Sequence, residues 1–265
     1  MLSVLKPLFL NLIARLGYNI KRQEIIDNSN DPVRVASQIL DVDEVKIVVD
    51  GGASIGDTTK KLSDYFHNAV VHAFEPFTKY YQILKESCKN NKKIIPHSYA
   101  LSSTSTFELL NINSSEGTNS LLKTEVNETH PYYDLLETKE TIQVESKTLD
   151  ILFPNETIDL LKLDLQGGEY DALQGADNLL TQNRIKCIIC EVMFQKSYKN
   201  QRNGSELLLF LEKNGFRIFN FYQNHFHHGK LLQSDVILYH HTMSDKVELL
   251  QKKNFIPYSN FLRIK

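Results

Sequence analysis

Lys46-Ile47-Val48-Val49-Asp50-Gly51-Gly52-Ala53-Ser54-Ile55-Gly56-Asp57 is the stretch whose reading decides the fold. Three β-branched apolar residues run into an acid, two glycines follow at once, and a third comes four residues later. That profile predicts a buried parallel strand whose C-terminal tip turns tightly into a helix. In open α/β sheets ligands sit at such tips, where helix N-termini and backbone N–H groups converge. The glycines are expected to let the turn close and to let a ligand approach the backbone.

Outward from this turn the pattern repeats. Ala69 to Glu75 predicts a second buried strand that ends in an acid, and Pro76 stops it. A helix over Thr78 to Lys89 and a third strand over Ile94 to Leu101 follow. From Ser102 to Glu140 Ser, Thr and Asn dominate, with at most a hairpin arm pairing Phe107–Leu110 with Ile142–Ser146. So long an excursion in a compact domain implies a lid or substrate loop. Strands resume at Ile158–Leu165 and Ile185–Met193, separated by helical turns broken at Gly175, and a helix over Ser205–Lys213 follows. Two last strands, Phe216–Tyr222 and Val236–His240, are joined by about a dozen residues with no helix, which implies an antiparallel pair at the sheet edge. The expected organisation is an N-terminal helical arm (1–42), one α/β domain (43–243) with a polar insertion at about 102–147, and a C-terminal tail (244–265).

Composition narrows the function classes. The chain has 265 residues, 42% apolar and 23% charged, with a net charge of −2. Neither that charge nor any long basic run supports a nucleic-acid partner. Met1 to Tyr18 is apolar but interrupted by Lys6 and Arg15, too short and too charged for a transmembrane segment. It fits an amphipathic helix that docks on the domain or on a second copy in a homo-oligomer, or that touches a membrane surface. Three cysteines make no disulfide framework. Cys187 and Cys190 fall three apart on an expected strand, so their sulfurs should diverge to opposite faces, and a cytoplasmic setting follows.

The chemistry gathers at strand tips. A dinucleotide turn would read G-x-G-x-x-G, whereas this one reads Asp50-x-Gly52-x-x-x-Gly56. An acid at the first tip repels pyrophosphate and suits a cation, and S-adenosylmethionine carries an ammonium and a sulfonium. Glu75, one strand later, is placed to accept hydrogen bonds from two ribose hydroxyls. Asp50, Gly51, Gly52, Ala53, Ser54 and Gly56 are therefore expected around the methionine moiety, with Ala100 and Leu101 along the adenine. In Leu161-Lys162-Leu163-Asp164-Leu165-Gln166-Gly167-Gly168-Glu169 the charged Lys162 and Asp164 share a strand face. Charges amid leucines are costly unless paired or used. Either Asp164 and Glu169 stand beside the methyl group and acceptor, or Lys162 forms an ion pair that fixes the crevice wall. Asp164, Glu169 and Lys162 are the candidate catalytic set. Glu191, at the fifth strand's end, faces the acceptor side, where Asn119, Ser120 and Gln166 are further candidate contacts. Asp164 with Glu191 lacks a clear third metal ligand. His225 and His227 share a strand face and read as exposed histidines or a chelating pair, so no metal site is assigned.

The ordered set Val49-Asp50-Gly51-Gly52-Ala53-Ser54-Ile55-Gly56-Asp57, Ala73-Phe74-Glu75-Pro76, Ala100-Leu101-Ser102, Asn119-Ser120-Leu121, Thr148-Leu149-Asp150, the Leu161–Glu169 run and Glu191-Val192 resembles the FkbM family of methyltransferases. The resemblance runs from about Val45 to His240. It implies a Rossmann-like class I fold: a mostly parallel seven-stranded sheet with helices on both faces and an antiparallel C-terminal hairpin. It also implies S-adenosylmethionine as cofactor and transfer to oxygen, typically a hydroxyl of a small-molecule, glycan or natural-product acceptor. Ser54 stands where this family usually has Asn, and Gly168 where it usually has Ala. Two other readings compete: a catalytically silent cofactor-binding or assembly module, and a nicotinamide-dependent oxidoreductase.

Overall fold

A computed structural model of the chain describes residues 30–254. The expectations for Met1–Tyr18 and for the end of the tail lie outside the described residues.

Asp31 opens the first helix, α1 (Pro32–Ile39), its side chain accepting from the N–H groups of Val33 and Arg34. Proline at the first helical position needs no hydrogen-bond partner and presets φ. β1 (Ile47–Gly51), α2 (Asp57–Tyr65), β2 (Val70–Phe74), α3 (Thr78–Cys88) and β3 (Ile94–His97) form the parallel first half. β4 (Ala100–Leu101), β5 (Phe107–Asn113) and β6 (Thr138–Lys147) build a separate three-stranded sheet in the order β4-β6-β5. After α4 (Leu149–Leu152) come β7 (Ile158–Leu163), α5 (Glu169–Gln174), α6 (Asp177–Thr181), β8 (Ile185–Met193) and α7 (Gly204–Lys213). α7 starts in a capping box, in which the Asn203 side chain and Glu206 satisfy each other's backbone N–H groups. β9 (Phe216–His227), β10 (Lys230–His240) and α8 (Ser244–Asn254) complete the described chain.

The main sheet has seven strands in the order β3-β2-β1-β7-β8-β10-β9. β1, β2, β3, β7 and β8 are parallel, and β10 runs antiparallel to both β8 and β9. Helices cover both faces. One core joins Val35, Ile39, Leu62, Leu84 and Val247 of α1, α2, α3 and α8 to Val48, Val71 and Leu160 of the sheet. The other joins Leu149, Leu173, Leu179 and Leu211 of α4 to α7 to Val49, Leu161 and Ile188. Cys187 lies in the first core and Cys190 in the second, so the two sulfurs do diverge across the sheet.

Two expectations are corrected. The strand foreseen over Ile94–Leu101 is two strands in different sheets, because the chain leaves the main sheet after His97 and pairs Ala100 and Leu101 with Ser146 and Lys147. Pro96 is tolerated in β3 because that strand is the sheet edge. The dozen-residue connection before β10 is a two-residue turn. β9 and β10 extend to His227 and from Lys230, and His228 and Gly229 both have positive φ (47° and 76°) as a tight hairpin requires. On the β9 side the extension, Gln223 to His227, is exposed on both faces, so no apolar alternation marked it as strand; on the β10 side Leu232 and Ser234 are buried. Among the described residues no helix is long and apolar enough to cross a membrane.

Candidate active site

The tips of β1, β2 and β7 meet at one crevice, and each is held by a different device. At the β1 tip Asp50 is fully buried, and its Oδ2 accepts from the Thr59 hydroxyl of α2 at 2.7 Å. Its Oδ1 lies 3.3 Å from Lys162 Nζ, an ion contact without hydrogen-bond alignment. Lys162 comes from β7, beside Asp50 in register. Its ammonium also reaches the carbonyls of Gly51 (3.5 Å) and Gly52 (3.4 Å) and the Asp164 carboxylate (3.6 Å). Burial alone would lower the Lys162 pKa, but Asp50 and Asp164 outweigh it and hold the lysine charged.

At Gly52 (φ +75°) an added Cβ would lie 1.9 Å from the carbonyl oxygen of Asp164. The room left on that side is taken by the backbone just after β7, as closure of the turn requires, while Gly52 also lines the cavity. The turn is packed from behind, and Lys162 ties its carbonyls to β7.

Glu75 follows the β2 tip. Its Oε2 accepts from Ser54 N and its Oε1 from Phe77 N, both at 2.8 Å. Ser54 makes that bond from a left-handed backbone (φ +50°), a conformation in which Asn is the more usual non-glycine residue. Burial pushes the Glu75 carboxyl up to about 7, against the two N–H groups and Lys162, which pull it down.

After β7 the chain makes a second strained turn. Gln166 is left-handed (φ +53°), and its Nε2 donates to Asp164 Oδ1 (2.9 Å) and Glu191 Oε2 (3.0 Å). With both amide hydrogens spent on carboxylates, its Oε1 faces the Tyr198 hydroxyl at 3.1 Å. Glu191 also accepts from Gln233 Nε2 (2.7 Å) and stands opposite Asp235 of β10. Burial raises the carboxyls of Glu191 and Asp235, and Asp164 raises both further; Asp235 reaches about 6. Glu169 turns back under the loop, where its Oε1 accepts from Leu165 N (2.7 Å) and Gly167 N (3.3 Å). Burial raises its carboxyl in spite of those bonds.

A cavity of about 290 Å³ opens along these tips. Of the residues singled out in the sequence, Gly52, Ser54, Glu75, Ala100, Leu101, Asn119, Ser120, Asp164 and Gln166 line it. Asp50, Gly51, Ala53, Gly56, Lys162, Glu169 and Glu191 do not; they stand behind the wall or beside it. Lys162 makes the ion pair, with Asp50 as its nearer acid, while Asp164, its second acid, also lines the cavity. Phe74, Tyr99, Leu110 and Leu121 add apolar surface, and Tyr80, Glu116 and Gly117 add polar surface that sequence reasoning missed. Tyr99 stood next to Ala100 and was in reach of a closer reading. Glu116 and Gly117 sit in the polar insertion, where no pattern marks them. Among the described residues three carboxylates line the cavity (Glu75, Glu116 and Asp164) and no Lys, Arg or His does. His225 and His227 lie at the exposed end of the hairpin. Among the described residues no three His, Cys, Asp or Glu side chains group to hold a metal ion.

A parallel sheet of this strand order, with an antiparallel hairpin at one edge and its crevice at the strand tips, is a Rossmann-like methyltransferase fold. Within that class the chain belongs to the FkbM methyltransferase family: the model of the methyltransferase FkbM domain matches residues 50–218. The chain is therefore a methyltransferase by family, and S-adenosylmethionine, the cofactor expected from the sequence, agrees with that membership. No curated protein matches the chain. Among solved structures, an rRNA methylase from Streptococcus thermophilus is 12% identical, with a TM-score of 0.46 over 79% of this chain and 96% of its own. Fibrillarin from Aeropyrum pernix, solved with natively bound S-adenosyl-L-methionine, is 11% identical, with a TM-score of 0.45 over 84% of each chain. Magnesium protoporphyrin IX methyltransferase from Synechocystis PCC 6803, solved with bound cofactor, is 12% identical, with a TM-score of 0.42 over 89% and 96%.

Proposed function

We propose that the protein is an S-adenosylmethionine-dependent O-methyltransferase acting on a hydroxyl of a sugar, glycan or natural-product scaffold. The observation that carries this reading is the cavity lining, with carboxylates at the β2 and β7 tips and, among the described residues, no cationic side chain. That lining suits a ligand bearing an ammonium, a sulfonium and a ribose diol. It repels the pyrophosphate of a nicotinamide cofactor. By the same argument a phosphate-rich acceptor such as nucleic acid is disfavoured, in keeping with the net charge of −2.

When bound, the cofactor supplies a methyl group already activated by its sulfonium. The protein's share is alignment and proton handling. Glu75, oriented by two backbone N–H groups, keeps its outward lone pairs for the ribose hydroxyls. Tyr99, Ala100 and Leu101 form the wall for a flat base. Asp164 is the carboxylate among the three catalytic candidates that reaches the cavity, and it takes the acceptor's hydroxyl proton. Lys162 and Gln166 hold it by one oxygen each. Glu169 shapes the loop that carries it, and Lys162 acts as a positioning residue for Asp50, the glycine turn and Asp164. The three free, buried cysteines suit work in the reducing cytoplasm.

Isothermal calorimetry with S-adenosylhomocysteine tests the donor site, and lack of binding at high micromolar ligand would end this reading. Methyl transfer from labelled cofactor to a panel of polyols and glycans then separates an enzyme from a silent cofactor-binding module. Binding without turnover on any hydroxyl acceptor would favour the module.

A further inference from the structure

The polar insertion, about residues 102–147, is expected to serve the acceptor, yet its Leu110, Glu116, Gly117, Asn119, Ser120 and Leu121 all line the cavity at the donor crevice. Its tip is anchored at two points of opposite character. The inner anchor is buried: the Ser120 hydroxyl donates to the Gln166 carbonyl at 2.7 Å, and the hydroxyl of the fully buried Tyr198 lies 3.1 Å from the Thr118 carbonyl. Asn113 braces the same segment, its N–H bonded to Asn119 Oδ1 and its Nδ2 to Thr118 O. The outer anchor is exposed. Lys79 Nζ, in the first turn of α3, donates to both carboxylate oxygens of Glu116 (2.6 and 3.0 Å), and the neighbouring Tyr80 lines the cavity with that glutamate. Lys79 follows the ribose-binding Glu75 by only four residues. The clasp therefore joins the insertion to the element that would hold the cofactor.

We propose that this clasp controls entry and release of the methyl donor: Glu116, held by Lys79, closes the insertion over the donor cavity, and residues 118–120 are the fixed hinge. The hinge hydrogen bonds are part-buried and meet less competing water than the exposed ion pair, which exchanges readily with solvent and salt. Opening releases the outer anchor, while Ser114 and Ser115 stay bonded to Glu137 and Leu135 at the base of the tip. The proposal rests on the donor-site reading above and assigns the tip of the insertion to the donor rather than to the acceptor.

The test is the release of labelled S-adenosylmethionine from the full-length protein, chased with unlabelled S-adenosylhomocysteine. Lys79→Ala and Glu116→Gln are expected to speed release about two- to five-fold, the span of an exposed ion pair. Lys79→Glu should speed it further, and the swap Lys79→Glu with Glu116→Lys should return it toward the wild-type rate. Raising salt should speed release from the wild type and leave Lys79→Ala unmoved. Equal release from all variants, or a swap that does not rescue, would overturn the clasp while leaving the donor site standing. A wild type that retains no labelled donor would overturn both.

Discussion

At Glu75 two backbone N–H groups hold a carboxylate that burial pushes the other way. Its carboxyl titrates near 4.5 in the unfolded chain and at about 7 in the folded one. Between those values the folded state keeps a proton that the unfolded chain has lost. Stability from this group is therefore present below 4.5 and is lost as pH rises through 7. Urea unfolding across that window should show stability falling with pH by up to about 1.4 kcal/mol per unit from this group, and Glu75→Gln should flatten the slope. Glu75→Ala should weaken S-adenosylhomocysteine binding by roughly 2 kcal/mol, read by calorimetry, through lost hydrogen bonds to a charged group. Lys162 and Asp164 separate in the opposite sense. Lys162→Met strips the buried Asp50 of its cation and should cost about 3–5 kcal/mol in urea unfolding. Asp164→Asn keeps the shape and the Gln166 contact, so stability should stay within about 1 kcal/mol while turnover on the identified acceptor falls by roughly 10²–10⁴-fold.

At the scale of the element, the β1–α2 turn and the β7–α5 turn interlock through backbone. Asp164 N donates to Gly51 O at 3.1 Å, and the Asp164 carbonyl sits where a Gly52 side chain would be. Gly52→Ala should therefore be among the most damaging single changes, combining a clash with backbone and a left-handed φ. A loss of at least about 3 kcal/mol in thermal or urea unfolding is expected. Gly117 is the control: a Cβ there would meet only Ser115 Oγ at 3.9 Å, and Gly117→Ala should leave stability within about 0.5 kcal/mol. The β9–β10 hairpin shows the limit of pattern reading for elements. Its inner half alternates against the core and was foreseen, while its outer half, Gln223 to His227, is exposed and reads as loop.

For the whole molecule, the sheet is a partition that keeps its two faces chemically separate. Cys187 and Cys190, three apart in β8, project into different cores, and burial raises both thiols, Cys187 to about 12. Cys88, the last residue of α3, is buried in the first core. A thiol reagent added to the native protein at neutral pH should label none of the three within minutes, and all three after denaturation. Prompt reaction of one thiol in the native state would show that a helix layer opens. Ala100, Leu101 and Leu110 of the second sheet line the cavity together with the strand tips of the main one, and the Lys79–Glu116 ion pair joins α3 to the loop after β5.

The sequence by itself determined the alternation of strands and helices, the parallel core, the tips at Asp50, Glu75 and Asp164, and the divergence of the two β8 cysteines. All of these follow from local periodicity, from glycine and proline punctuation, and from where charges interrupt apolar runs. Tertiary structure alone decided what each charge does. Asp50, Lys162, Glu169 and Glu191 look as functional in sequence as Glu75 and Asp164. Their partners (Thr59, the glycine carbonyls, the Leu165 amide and the two glutamines) come from the following helix for Asp50, from distant strands and turns for Lys162 and Glu191, and from its own loop for Glu169. Whether a carboxylate lines the cavity or braces its wall depends on direction and burial, and spacing along a chain specifies neither. The glycine turn shows the same division. Sequence marked Asp50-Gly51-Gly52 as a place where something must come close, and the fold showed that what comes close is the backbone of Asp164.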